Sequence, residues 1–422
     1  MRLRITAAAV AALAVAAAGL ALWTRAEPIA PVDPPAAAAA PAVLAAGARV
    51  VALGDCMVCH TARGGAAYAG GLGLDTPFGT IYSTNITPDP ETGIGRWSAQ
   101  AFRRALREGV SRDGHLLYPA FPYIHTTRMS DADIEASYHY LMSREPVRAT
   151  PPDNALVLPL NFRPLLAFWN MLYLRPGDAG IPARQATPLE RGRYLVDTLG
   201  HCASCHSGMN LLGGERHPPF QGGNIDGWDA PALTRLTGGA APWTQAELVD
   251  YLRGGLSGAH GAAKGPMRPV TERLAGVPRE DVDAMAAYLM SIQDAGPAAA
   301  PAAAPTPPSA DLSADLPGRR LFAAACAGCH APAAPMMRVD GRPGLARSSA
   351  VLGERPDNFV QTVLHGIPWE TGSKVYMPPF ADTLSDAQVA ELAAYVRTGL
   401  AGRAAWPDTA TKSATLRKET PQ

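Results

Sequence analysis

The chain has 422 residues, too many for one hydrophobic core and enough for about three domains. Apolar residues make up 47% and charged residues 18%, which excludes a fully disordered chain, while 41 glycines and 40 prolines point to compact modules joined by Pro-rich linkers. Thirty-seven basic residues balance 37 acidic ones, so no cationic surplus exists to neutralise phosphates, and this argues against a nucleic-acid partner.

At the N-terminus Arg2 and Arg4 precede an almost unbroken apolar run, Ile5–Trp23. Its nineteen residues reach the lower range of a membrane span and exceed a usual signal core. Residues 1–26 are read as a membrane anchor, or as a signal peptide if the weak site at Thr24–Ala26 is cleaved. The two arginines favour a cytoplasmic N-terminus, so everything downstream is expected to be exported. The expected location is the periplasmic side of the cell membrane, or the free periplasm after cleavage. Residues 27–41 form a Pro/Ala linker, a semi-rigid spacer.

Three modules follow, at 42–150, 187–294 and 310–403, separated by a bridging segment at 151–186 and a second Pro/Ala linker at 295–309, with a polar, frayed tail at 404–422. Each module opens with a short helical pattern: Val50–Leu53, Gly192–Leu199, Gly318–Ala324. Each has a middle helix begun by a polar residue or proline (Ser98, Thr244, Pro356) and ended by a glycine (Gly109, Gly254, Gly366). A closing amphipathic helix carries Ile134/Tyr138/Leu141, Val282/Met285/Leu289 and Val389/Leu392/Val396 at helical spacing, with Ser130 and Ser385 as N-caps. No β-alternation stands out. In the bridging segment, Ala155–Leu174 is apolar but interrupted by Arg163, Pro159 and Pro164, which reads as a buried bridge between modules rather than a span.

All six cysteines fall in three strings, CMVCH, CASCH and CAGCH: Cys56/Cys59–His60, Cys202/Cys205–His206 and Cys326/Cys329–His330. A redox CxxC would occur once and needs no histidine, and a zinc site lacks a fourth ligand here. Three strings that consume every cysteine are the attachment signature of c-type haem, with thioethers to both thiols and the adjacent histidine as proximal iron ligand. Three covalently bound haems are expected, and they supply the apolar bulk that a 7% aromatic content leaves missing.

Distal ligands follow from the repeat. Met377 lies eleven residues after Gly366 and Met267 thirteen after Gly254, each in a Gly/Pro-rich loop between matched helices. Both are assigned as distal ligands, whereas Met142, Met285 and Met290 sit at helix-core positions and Met336 and Met337 have no counterpart in the other modules. In the first module the same ruler, twelve residues after Gly109, reaches Phe121, which cannot bind iron. His125 is the first candidate to replace it, with His115, Met129 or an open position as alternatives.

The strings YSTNITPDPETGIG (Tyr82–Gly95), RDGHLLYPAFPY (Arg112–Tyr123), GRYLVDTLGHCASCH (Gly192–His206), AHGAAKGPM (Ala259–Met267) and MPPF resemble the tri-haem cytochrome c subunits of bacterial membrane-bound dehydrogenases. That resemblance implies a mainly α fold with three tandem cytochrome c-type domains. It also implies electron transfer from a partner dehydrogenase to quinone or another cytochrome of the respiratory chain, with no catalytic centre of its own. Relatives beside quinoprotein alcohol dehydrogenases and flavin-dependent gluconate dehydrogenases carry a methionine where Phe121 stands. The YPAFPY form followed by a histidine, together with FRPLLAFWN, looks more like the branch paired with molybdenum hydroxylases and their iron–sulfur subunits, which oxidise aldehydes, nicotinate or isoquinoline. A haem peroxidase, the rival reading, would need an open iron position, for which only the first module qualifies.

Overall fold

In the first unit the opening helix runs from Pro41 to Leu53, longer than its apolar pattern, because Pro41 occupies the first turn, where a missing N–H costs nothing. It crosses the closing helix, Asp131–Met142, at Gly47, where a Cβ would overlap the carbonyl of Ala136. Val50, Val51 and Leu53 of the opening helix and Ile134, Tyr138 and Leu141 of the closing helix are buried, and the middle helix Ala99–Glu108 adds Phe102 and Ala105. The Phe102 and Tyr138 rings lie 5.7 Å apart. Ser98 and Ser130 cap their helices by accepting the N–H groups of Ala101 and Asp133. This is a computed structural model, and it describes residues 15, 18–33, 39–177, 186–238, 241–294, 317–332, 334–338, 344–368 and 376–418.

The chain divides into two compact units, Met1–His201 and Cys202–Gln422. Most of the apolar N-terminal run and the whole second Pro/Ala linker lie outside the described residues. Among the described residues no helix is long and apolar enough to cross a membrane. Within the first unit, Pro188–Tyr194 continues as a π-helix over Leu195–Leu199, begun by a capping box between Thr187 and Glu190. The Tyr194 hydroxyl donates to Asp133 at 2.6 Å and accepts from the Ser130 N–H at 3.0 Å, so it joins this helix to the cap of the closing helix.

Three sequence expectations are corrected. Short antiparallel pairs exist: Gly73–Thr76 with Gly79–Tyr82, extended by Ala155–Leu156, then Gly223–Ile225 with Trp228–Ala230, and Leu256–Ser257 with Gly261–Ala262. Strands of two to four residues are too short to display alternation. The segment Ala155–Leu174 is not a buried bridge. Its helix Leu166–Tyr173 has no buried residue, and Val157, Leu158, Phe168, Met171 and Leu172 are exposed. The segment is tied down by the pairing of Ala155–Leu156, by Arg163 donating to the Leu116 carbonyl at 3.0 Å, and by its helix, where Asn170 accepts from the Tyr123 hydroxyl at 2.7 Å and Trp169 lies edge-on to Tyr123. Nor is the tail frayed up to residue 418. The helix Thr409–Leu416 buries Thr409, Ser413 and Leu416, and Arg417 donates to Asp386 and to the carbonyl of Leu384. Its buried stripe is largely small and polar, which hides it from an apolar count.

In the second unit the middle helix Gln245–Gly254 starts with a Thr244–Glu247 capping box and ends one residue beyond expectation, at Gly255 in the left-handed region. Met267–Ala275 and Arg279–Ser291 follow. The third module opens with Pro317–Leu321, continued as a π-helix through Phe322–Cys326, and Gly318 meets the Glu391 carbonyl of the closing helix Asp386–Ala394 as Gly47 meets Ala136. The helix Asp357–His365 supplies Phe359, Val360, Val363 and Leu364 to the core. The second and third modules are tied inside this unit by a reciprocal pair: the Asp229 N–H donates to the Asn358 side chain at 2.8 Å, and Asn358 donates to the Asp229 carbonyl at 2.8 Å.

Candidate haem sites

Cys56–Cys59, Ala203–His206 and Ala327–His330 are each a single helical turn. Thiols three apart share one face of such a turn, and the histidine follows directly. The three strings are not placed identically. Cys56 and Cys59 both lie within their turn, whereas Cys202 is the residue before the second turn and Cys205 sits inside it, and Cys326 likewise precedes the turn that holds Cys329. Cys202 and Cys205 are joined through the backbone, the Cys205 N–H donating to the Cys202 carbonyl at 3.3 Å, and both side chains are half-buried. Gly223 of the next hairpin runs so close that a Cβ there would overlap the Cys205 carbonyl.

All six cysteines are thiols rather than halves of a disulfide. Burial, with the neighbouring charges of Asp55 and Cys59, pushes the Cys56 thiol up to about 12, and burial also raises Cys326. Redox or metal-thiolate cysteines are shifted the other way. Among the described residues no three His, Cys, Asp or Glu side chains gather as a bare metal ion would need.

The histidines carry the more specific signature. His60 Nδ1 donates to the Thr84 carbonyl at 2.6 Å, and His206 Nδ1 donates to the Pro231 carbonyl at 2.7 Å. A bond of this kind fixes the ring and its tautomer and directs Nε2 to a metal. Burial lowers the pKa of both imidazoles, against the raising effect of those carbonyls, so the neutral, metal-binding form is favoured.

The third site is a cleft of about 1050 Å³ measured to its solvent mouth, and it brings together Cys326, Cys329, His330 and Met377. Its remaining walls include Phe322, Val351, Phe359, Val363, Leu392 and Val396. Met377 is held by a two-way backbone bridge, its N–H donating to Ile367 at 3.0 Å and its carbonyl accepting from Ile367 at 2.8 Å. Two thiols, an imidazole and a thioether around an apolar slot fit a covalently bound haem. Met337, to which the repeat assigns no role, also lines the slot. Cys56, Cys59 and His60 do not line this cleft, and neither do Cys202, Cys205, His206 and Met267. In the third module the two thiols, the imidazole and the Met377 thioether thus line one slot. For the first two modules the assignment of Cys56, Cys59, Cys202 and Cys205 stands on the motif and on the aimed histidine that follows each pair.

Hydrogen bonding gives the first two modules a common register. Gly109 and Gly255 are both left-handed C-caps, and their carbonyls accept from Leu117 and Ala263, each at 2.7 Å. Counted from these caps, Phe121 and Met267 are both twelve residues on. The ruler started from Gly254 was therefore one residue too early, and Phe121 holds the methionine's position. Met267 begins the helix Met267–Ala275. His125 is buried in the turn Tyr123–Thr126, its Nδ1 donating to the Asp197 carbonyl at 2.9 Å and its ring 6.5 Å from that of His201. His115 is turned to Asp113 at 3.2 Å. Met129 is core, 4% exposed, directly before the Ser130 cap, just as Leu384 precedes Ser385. Sequence reasoning missed the carbonyls of Thr84, Pro231 and Asp197, because a backbone partner leaves no residue signature. It also missed Leu256, Gly261, Ala262 and Lys264, which reach the third cleft from the second module.

These sites define a c-type cytochrome with covalently bound haem. The family model for cytochrome c matches residues 44–145 and 189–293, and that for cytochrome c oxidase, cbb3-type, subunit III matches 313–396. The chain is 49% identical over 402 residues to a nicotinate dehydrogenase subunit of Pseudomonas putida, covering 94% of this chain but only 34% of that relative's length. It is 36% identical to the gluconate 2-dehydrogenase cytochrome c subunit of Pantoea cypripedii, with 87% of each covered. It is 34% identical to the alcohol dehydrogenase (quinone) cytochrome c subunit of Gluconacetobacter polyoxogenes, with 89% and 84% covered. The chain belongs to this family, the electron-transferring cytochrome c subunits of dehydrogenases.

Proposed function

We propose that the chain carries three c-type haems, attached at Cys56/Cys59, Cys202/Cys205 and Cys326/Cys329, with His60, His206 and His330 proximal and His125, Met267 and Met377 distal. Bound haem supplies a one-electron Fe(III)/Fe(II) couple at each site. The protein's part is to hold the iron ligands, keep the His60 and His206 imidazoles neutral and exclude water with apolar walls. The convergence of Cys326, Cys329, His330 and Met377 in one apolar cleft is the observation that carries this reading. A haem-to-protein ratio of three on denaturing gels and in pyridine extracts is the expected result, and two or fewer after full maturation overturns it.

In this reading the chain sits at the periplasmic side of the membrane, takes electrons from a dehydrogenase catalytic subunit and passes them to quinone or another cytochrome. A molybdenum hydroxylase with an iron–sulfur subunit is the favoured partner, supported by the 49% identity to the nicotinate dehydrogenase subunit and by Phe121 followed by His125. The gluconate and alcohol dehydrogenase relatives support a second reading, a flavin or pyrroloquinoline quinone partner. Detergent extraction of the tagged chain and cofactor analysis of what co-purifies separates the two: molybdopterin is expected, and flavin or pyrroloquinoline quinone overturns the first. Retention of the chain in salt-washed membranes tests the anchor, and release into the periplasmic fraction argues for cleavage.

A further inference from the structure

The loop Gly261–Met267 belongs to the second module, yet Gly261, Ala262 and Lys264 line the third cleft beside His330 and Met377. Several contacts hold it there. The Ser349 N–H donates to the His260 carbonyl at 2.9 Å, and Arg268 donates to the Pro368 carbonyl at 2.9 Å. Gly265, at φ +49°, lies so close to the Trp228 indole that a Cβ would overlap the ring. The backbone on both sides of Lys264 is thus fixed, and Lys264, half-buried, lines a slot whose other walls are mostly apolar, with Ser348, Thr362, Tyr376 and His330 among the polar exceptions. Among the described residues no carboxylate lines that slot. Burial alone pushes the Lys264 ammonium down to about 8. An ammonium among apolar walls calls for an anion. A haem in this slot brings two carboxylates of its own, the propionates.

We propose that Lys264 pairs with a propionate of the haem bound by the third module, so that a residue of the second module sets the reduction equilibrium of its neighbour's haem. The inference rests on the reading of the third cleft as a haem site with Met377 as distal ligand. Ferric haem carries one more positive charge than ferrous, so a nearby ammonium favours the reduced form, and so does neutralisation of a propionate.

The test is a spectroelectrochemical titration of the mature holoprotein and of Lys264→Met, Lys264→Arg and Met377→His. Met377→His marks the third haem by displacing its step. Lys264→Met should shift that same step about tenfold toward ferric, 59 mV for a one-electron couple. Lys264→Arg should leave it near the parent value, and the other two steps should stay in place. Lys264→Gln serves if the Met variant does not mature. A shift below twofold, a shift of another step, or a high-spin third haem that makes Lys264 an iron ligand overturns the proposal. If Met377→His moves no step, the ligand reading itself has failed and this inference falls with it, an outcome distinct from the others.

Discussion

A thioether and a phenyl ring differ in one property that decides the chemistry of these loops: sulfur has a lone pair for iron and phenylalanine has none. Met377→Ala and Met267→Ala should each turn one haem high-spin or lower its potential, seen in the visible spectrum and a redox titration. If Met377→Ala leaves the spectrum unchanged while Met337→Ala does not, the third ligand is Met337, the other methionine in that cleft. At this scale the three CxxCH strings were fully legible, because covalent haem chemistry requires two thiols and a histidine at fixed spacing. The hydrogen bonds that aim His60 and His206 were not, since their acceptors are the backbone carbonyls of Thr84 and Pro231. Lys264 was visible only within a motif, and nothing in its local pattern says that it reaches another module's cleft.

Helix ends could be read from single residues because capping is local. Thr244 accepts the Glu247 N–H while the Glu247 side chain accepts the Thr244 N–H, so Thr244→Ala should cost about 1 kcal/mol in denaturant unfolding, with haem content unchanged. Gly47→Ala drives a methyl into the Ala136 carbonyl and should cost about 1–3 kcal/mol by forcing apart the opening and closing helices, measured the same way. What escaped the sequence was packing by small and polar residues, as in Thr409–Leu416. That helix is anchored on Asp386: burial of its carboxyl works to raise the pKa, but hydrogen bonds from Ser413 and Arg417 outweigh it and hold the pKa below the ordinary value. The unfolded chain therefore binds the proton more readily. The contribution is complete at neutral pH and is lost as pH falls through the folded value. Amide exchange in residues 409–416 should rise in acid below the usual carboxylate range, and Asp386→Asn should produce the same rise at neutral pH. Unchanged exchange in that variant would show that the helix is held by Leu416 and Trp406 alone.

Across the whole molecule, one repeat is used with one difference, and that difference predicts how the haems divide the work. Common register from Gly109 and Gly255 sets Phe121 where Met267 stands, so a haem held at Cys56 and Cys59 would take another distal ligand or none. His115 is engaged with Asp113, and Met129 is packed as core. His125 is buried with Nδ1 on the Asp197 carbonyl, the same kind of backbone partner that His60 and His206 find in Thr84 and Pro231. Imidazole donates to iron more strongly than a thioether and favours Fe(III), so a first haem with two histidines should be the lowest-potential of the three and suited to receive electrons. Low-temperature EPR of the parent should contain one bis-histidine signal beside two histidine–methionine signals. His125→Ala should abolish the first and leave that haem high-spin, while His125→Met should keep it low-spin and raise its potential. Three methionine-ligated signals in the parent, or a His125→Ala protein whose haems are all low-spin and unshifted, would remove His125 from the iron and make Met129 the residue to vary next.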